Sequence, residues 1–334
     1  GPRKLAPGSY LITATADNHY RTAYPFALER GEDRQLDIVL PRASEVPAGY
    51  VYVPAGRFLF GSDDDESTRK WLDTAPAHEL ELPAFLIGRT EATYAEYLAF
   101  LRALPAARRA ANLPRNLSLP GDGHCISPGG TWLCRSTPQR AQLRLQEKAG
   151  AGVRLTSVDE GERFCPASSA ECFDWLRFPA MWLSHAQARA YAAWLGDSGR
   201  LPGARLCTDL EWERAGRGAD ARRFPHGNLL EPPDACTMLA YGNNPTMAQP
   251  CEAGTHPASR SVFGVEDLVG NVTEWTASSP AGEQHQAISR GSAFMGTGLI
   301  HWISNVGVLP TSSVNQLGGI RICTSYPRPT GKQP

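Results

Sequence analysis

No run of about eighteen apolar residues occurs in this 334-residue chain, so no segment is expected to span a bilayer. A basic excess is missing as well. Lys and Arg number 33 against 34 Asp and Glu, for a net charge of −1, which argues against a general nucleic-acid or anionic-membrane surface. No Cys-x-x-Cys pair occurs, so the commonest zinc spacing is absent. Neither a Gly-x-Ser-x-Gly elbow, a P-loop nor a dinucleotide fingerprint is found. Between Gly291 and Ile320 there is no Asp, Glu, Lys or Arg.

What remains is an ordinary globular composition. With 42% hydrophobic residues, 334 residues suffice for one large domain and a small one. The chain holds eight cysteines, an even number in spaced local pairs, which favours disulfides. The spacing pairs Cys125 with Cys134, Cys165 with Cys172 and Cys236 with Cys251, leaving Cys207 for Cys323. Closing that last, long loop contributes about 4–5 kcal/mol on the chain-entropy account. An oxidising, extracytoplasmic setting follows, the alternative being eight buried thiols in a cytosolic protein. The leading Gly1-Pro2 reads as a tag-cleavage scar, so a missing targeting segment is expected to reflect where the chain was cut.

Residues 1–42 alternate short apolar runs with turns. Tyr10–Ala14, Tyr24–Leu28 and Leu36–Leu40 read as half-buried antiparallel strands. Pro41 to Pro47 reads as a linker, so residues 1–46 form a small β piece. The main domain is expected over 47–327, with a loop-rich, disulfide-stapled insert at about 105–178 and a tail at 328–334. Thr93 is a plausible N-cap, followed by Tyr94, Tyr97, Leu98 and Leu101 at helical spacing. Ser184 with Gln187, and Thr208 with Glu211, have the capping-box pattern. Ala188, Tyr191, Ala192 and Leu195 follow the first of these as an apolar stripe. The 32 glycines, 27 prolines, short strands and two clear helices argue for an α+β class with little regular structure, not for a doubly wound or barrel fold. Trp175, Trp182, Trp194 and Trp212 are expected as core anchors, His185 as a surface residue at a helix start, and His226 as a packed turn residue.

Four separated stretches share one resemblance. They are Val53–Phe58 running to Gly61-Ser62, Phe85–Thr93, Arg205–Ala215, and Gly264–Trp275 with its Gly-Asn-x-x-Glu-Trp core. Phe224–Asn228 and the closing Gly319-Ile320-Arg321 extend it. Together they resemble the formylglycine-generating enzyme family, also called sulfatase-modifying factors, and the likeness runs from Gly49 to about Pro327. It implies a modified C-type-lectin-like fold. Residues 1–42 resemble part of a PEGA-type β-domain. Bacterial relatives with such a leading piece are often outer portions of membrane-anchored proteins, Ser/Thr kinases among them.

The resemblance also implies particular site residues. A structural calcium would be held by the carboxylates of Asp267 and Glu274 and the backbone carbonyls of Gly270 and Val272; the alternative makes the two acids solvated or salt-bridged surface groups. A second family calcium site is less well matched, because Asp234-Ala235-Cys236 departs from its pattern. Catalytic relatives hold copper between two cysteines. Here those positions fall on Gly296 and near His301, and Ala293 stands where the family has an active-site serine. Glycine and a lone histidine cannot replace two soft thiolates, so no copper is expected. A related branch holds iron with His-x-x-x-His-x-Glu, and none of the eight histidines has that spacing.

The expected function is therefore a non-catalytic domain, displayed outside the cytoplasm, that binds through the former active-site face. Phe294, Gly296, Thr297, Leu299, His301, Trp302, Ser304, Asn305 and Asn315 are its candidate contacts. The partner is an unidentified protein, peptide or small molecule. Residues 296–315, Trp302 aside, fit the residue alphabet of variable proteins diversified by retroelements. Two alternatives stand beside this: a buried β-hairpin pair without ligand, and a sulfatase-maturation oxidoreductase whose active site has gone unrecognised.

Overall fold

The computed structural model describes residues 3–114, the strand segments 125–126, 131–135 and 142–146, and residues 174–244, 248–315 and 317–326. Local capping sets the helices. The two expected capping boxes form, Ser184 with Gln187 opening α4 (His185–Asp197) and Thr208 with Glu211 opening α5 (Asp209–Arg217); Thr93 caps α2 (Tyr94–Ala103) as expected, in a box completed by Glu96 that was not foreseen. In each, a hydroxyl accepts from the third backbone N–H while the third side chain returns to the cap, satisfying donors a helix start leaves open. Two further helices, α1 (Glu66–Trp71) and α3 (Ala106–Asn112), were not foreseen. Neither buries a residue, so neither carries an apolar stripe that periodicity could reveal.

Two four-stranded sheets carry the domain. One runs Arg205–Leu206, Ile322–Ser325, Phe85–Gly88 and Tyr50–Val53, antiparallel throughout. The other runs Val306–Pro310, Gln286–Arg290, Thr273–Trp275 and Gly318–Ile320, with its last pair parallel. The architecture is thus mixed α and β without a closed barrel, as the composition requires. At the N-terminus Gly8–Ala14 pairs antiparallel with Thr22–Leu28, but Leu36–Leu40 is not a strand. In the insert, Thr131–Arg135 pairs with Cys125–Ile126 and with Gln142–Gln146.

Two of the four expected disulfides are formed, Cys207–Cys323 and Cys236–Cys251. The first joins neighbouring strands at the register where Arg205 faces Cys323. The pairings expected for Cys125, Cys134, Cys165 and Cys172 lie outside the described side chains. Among the described residues no helix is long and apolar enough to cross a membrane.

Two large apolar clusters, and a small one of Val46, Tyr52 and Leu86, form the core. Tyr97 and Phe100 of α2 pack edge-on with each other and against Tyr191 of α4, which together with Leu98, Leu101, Ala188, Ala192 and Leu195 fills one cluster. Trp212 of α5 lies in the other with Val51, Ile87, Val265 and Leu268. Trp212 is thus the full core anchor expected, while Trp182 and Trp194 are only partly buried; the side chain of Trp175 is not described. His185 is buried, contrary to expectation: its ring lies edge-on to Trp275 and bonds the Thr276 carbonyl through Nε2.

Candidate functional site

The Gly264–Trp275 stretch is a chain of turns pinned from several sides. Asp267 and Asn271 both take positive φ, 58° and 57°, and Gly270 between them has φ 78°. A Cβ at Gly270 would stand 2.2 Å from the Cys236 carbonyl oxygen, so no other residue fits there. Asn271 donates its N–H to that same carbonyl, while its Oδ1 accepts from the Cys251 N–H and its carbonyl from the Phe294 N–H. The Cys236–Cys251 disulfide loop is thereby tied to the start of the charge-free segment.

Buried ion pairs fix the two motif arginines. Arg290 is fully buried and donates to Asp209, to Glu213 at 2.7 Å and to the Ile303 carbonyl. Glu213 also accepts from Arg217 and from the Gly61 N–H. Arg321, equally buried, donates Nε and Nη2 to Glu274 at 2.8 and 2.6 Å, and also reaches the carbonyls of Gly88 and Glu266. Trp212 Nε1 donates to Glu274 at 2.6 Å as well. The closing Gly-Ile-Arg and the Gly-Asn-x-x-Glu-Trp stretch therefore meet in one hydrogen-bonded ion pair.

These bonds bear on the expected calcium set of Asp267, Gly270, Val272 and Glu274. Three of the roughly four lone-pair positions on the Glu274 carboxylate are committed within the protein. Nor is Glu274 a surface acid, at 1% exposure. Asp267 accepts from the Gly254 N–H through one oxygen. Among the described residues no three His, Cys, Asp or Glu side chains cluster as a metal site would need. Asp267 keeps one carboxylate oxygen to offer, whereas Glu274 shares its carboxylate with Arg321 and Trp212.

One acid that sequence reading passed over sits beside Asp267. Glu91 is 1% exposed, and among the described residues no N–H donates to either of its oxygens by distance and angle. Its carboxyl faces that of Asp267, and burial with that neighbouring charge pushes it well above the usual carboxylate range. Asp267 is pushed up to about 6, again chiefly by burial.

The two positions that the resemblance sets against the copper-binding cysteines of catalytic relatives, Gly296 and His301, are neighbours. Gly296 lies against the His301 ring, whose Cε1 is 2.9 Å from where a Cβ at 296 would stand. His301 Nδ1 hydrogen-bonds Ser292 Oγ at 2.6 Å, and that oxygen accepts from the Gly270 N–H. Nε2 is buried and makes no hydrogen bond. Burial lowers the ring's tendency to take a second proton. No thiol lies here; the described cysteines are bonded to one another elsewhere.

Of the nine expected contact residues, Phe294, Gly296, His301, Trp302 and Ser304 are buried and make a floor, not a surface. Thr297 and Leu299 are exposed, and Asn305 and Asn315 half-buried. The Asn315 amide is engaged with Thr273 and the Leu317 N–H. Trp302 is roofed by the Arg223 guanidinium, 4.2 Å above its ring, which is itself paired with Asp64. Met295, 42% exposed, and Trp71, 60% exposed, were not foreseen. Next to Trp71, the Leu72 carbonyl accepts from the Val306 N–H. Beside Arg223 opens a polar cavity of about 590 Å³, lined among others by Ser9, Asp63, Asp220, Arg222 and His226. Nothing local in the sequence marks Trp71 or the cavity, since both arise from segments distant along the chain.

Comparison with known proteins accords with this geometry. The model of the sulfatase-modifying factor enzyme 1-like domain matches residues 38–324. Hercynine oxygenase of Mycolicibacterium smegmatis is 29% identical over 246 residues, covering 72% of this chain but 48% of that protein. The chain thus spans about half the length of the hercynine oxygenases it matches. The inactive C-alpha-formylglycine-generating enzyme 2 of Mus musculus is 29% identical over 297 residues, covering 84% and 86%. Treponema denticola variable protein 1 shares the fold, with a TM-score of 0.52 at 14% identity over 96% of this chain and 100% of that one.

Proposed function

This chain belongs to the sulfatase-modifying factor family, and from that premise we propose that it is a catalytically silent member that binds a protein or peptide through the former active-site face. The Gly296–His301 contact carries the reading. Copper held by two thiolates needs sulfur at both positions, and here an imidazole lies against a bare Cα with its Nδ1 engaged by Ser292. The exposed rim of Met295, Thr297 and Leu299, with Trp71 beside Val306, offers apolar area above a rigid buried floor. Such a rim over a fixed scaffold suits recognition. The two buried disulfides support display outside the cytoplasm, where the domain serves as a sensor or as a variable receptor.

Incubation with copper and a Cys-x-Pro-x-Arg peptide tests the silent half of the proposal. The peptide is expected to return unchanged in mass; conversion of its cysteine to an aldehyde would establish the oxidoreductase alternative instead. Panning a random peptide library tests the binding half. Sequences enriched on the wild type should be lost on Leu299→Arg, and retention on that variant places the binding face elsewhere. For the variable-receptor form, a neighbouring reverse transcriptase and a template repeat of codons 291–322 are expected; without them the ligand is fixed.

A further inference from the structure

The two described disulfides differ in where they lie and in what they hold. Cys207–Cys323 staples neighbouring strands inside a four-stranded sheet. Cys236–Cys251 instead closes a short loop that carries exposed Gly242, Asn243 and Asn244. Cys251 is the less buried of its pair, at 9% exposure, and the hydroxyl of half-buried Tyr241 stands 3.4 Å from its Sγ. Thiol–disulfide exchange requires a thiolate to reach a sulfur, so this bond is the more open of the two to a reductant.

Both ends of the short bridge grip one residue. The Cys236 carbonyl accepts from the Asn271 N–H at 2.7 Å, and the Cys251 N–H donates to Asn271 Oδ1 at 3.0 Å. Asn271 sits at φ 57°, a left-handed conformation that persists where the surroundings fix it. From there the grip passes to the charge-free segment. The Asn271 carbonyl accepts from the Phe294 N–H at 2.8 Å, and the Gly270 N–H donates to Ser292 Oγ, which bonds His301 Nδ1. Cys236, Cys251 and Phe294 also share one apolar cluster.

We propose that the Cys236–Cys251 bond is a redox-sensitive latch on residues 292–301, closed when oxidised and released by a dithiol reductant. One thiolate of the reductant attacks Cys251 Sγ. The S–S bond breaks, and its electron pair leaves on Cys236 Sγ, which takes a proton. The second thiol of the reductant then attacks the mixed disulfide, releasing Cys251 as a thiol and leaving the reductant as its own disulfide. Two electrons and two protons thus pass to the protein. Once the loop ends are free to part, Asn271 loses its fixed partners and the bonds to Phe294 and Ser292 open more often. The loosening does not depend on what the segment binds; only its effect on recognition rests on the function proposed above.

Hydrogen exchange of the whole chain, read by mass spectrometry in graded dithiothreitol, tests the latch, with alkylation mapping which cysteines are free. Cys236 and Cys251 should be alkylated at concentrations that leave Cys207–Cys323 closed. In that state exchange over 270–272 and 292–301 should quicken by about tenfold or more, while α4 stays protected. Cys236→Ala with Cys251→Ala should exchange as fast without reductant and respond no further to it. Unchanged exchange at 292–301 once the bond is open overturns the latch, as does opening of Cys207–Cys323 first. The wild-type series decides this even if the double variant fails to fold. Peptides selected on the oxidised protein should bind the reduced one more weakly. Faster exchange with unaltered binding would overturn the regulatory consequence while the latch stands.

Discussion

The His301 imidazole fills the space that a side chain at Gly296 would need: its Cε1 stands 2.9 Å from the missing Cβ, with Ile300 Cδ1 at 2.8 Å on the other side. The residues at 296 and 301 are therefore packed against each other, and a change at one is felt at the other. Placing Cys at 296 alone should crowd the ring and destabilise the domain by about 1–3 kcal/mol, the usual range for overpacking. The pair Gly296→Cys with His301→Cys removes the ring and should recover much of that loss. Urea unfolding measures both, and a Cu(I) titration should show one tight site in the double variant and none in the wild type. Tight Cu(I) binding by the wild type at His301 would contradict the silent reading.

Glu213 has no exposed surface and serves three donors: Arg290, Arg217 and the Gly61 N–H. Arg290 retains Asp209 if Glu213 is lost, but Arg217 has no other carboxylate within the described ion pairs. Removing one partner of a buried pair strands the other, typically at a cost of about 3–5 kcal/mol. Glu213→Ala should fall in that range by denaturant unfolding. Arg57→Ala, at an exposed pair with Glu79, should change stability by less than about 1 kcal/mol.

The parts of this molecule that were legible in its sequence are those set by near neighbours. The capping boxes at Ser184 and Thr208 needed only residues three apart, and the helical stripe of α4 only a turn or two. The Cys207–Cys323 pairing followed by elimination. The site was harder because one local pattern served two outcomes: a charge-free run from 291 to 320 suits an open ligand surface and a buried floor alike. His301, Trp302 and Ser304 proved to be floor. The ion pair of Glu274 with Arg321 could not be read from sequence, because Arg321 lies far along the chain. Glu91 carried no signal of its own; only the fold brings it to Asp267. His185 was misplaced for a similar reason, since the Thr276 carbonyl that takes its ring comes from another element.

Acid should weaken the fold partly through His301. Burial depresses the ring's pKa below its unfolded value of about 6.5. The unfolded chain then binds more protons than the folded one as pH falls below that value, so the stability this group contributes is full above it and is lost on acidification through the folded pKa. The raised carboxyls of Glu91 and Asp267 act oppositely, favouring the folded state at low pH. Replacement with His301→Gln isolates the first effect. Between pH 7 and 5 the variant should lose less stability than the wild type, measured by urea midpoints at each pH. Equal slopes would show that His301 contributes nothing to the acid response.

The Cys207–Cys323 bond should matter more to stability than the Cys236–Cys251 bond, because it closes a separation of 116 residues against 15. Chain entropy assigns about 4–5 kcal/mol to a loop near a hundred residues and about 3 to one near fifteen. The longer bond also lies in the strand pairing that joins Arg205–Leu206 to Ile322–Ser325, so its loss frees the edge next to Arg321. Both sulfurs are buried, with Cys207 at 1% and Cys323 at 0% exposure. Reduction of the folded protein should therefore be slow and should track global opening, not thiol attack at the surface. The double variant Cys207→Ala with Cys323→Ala should lower the urea midpoint more than Cys236→Ala with Cys251→Ala. The reverse order would mean that the Asn271 contacts to the short loop, and not loop entropy, dominate what these bridges contribute.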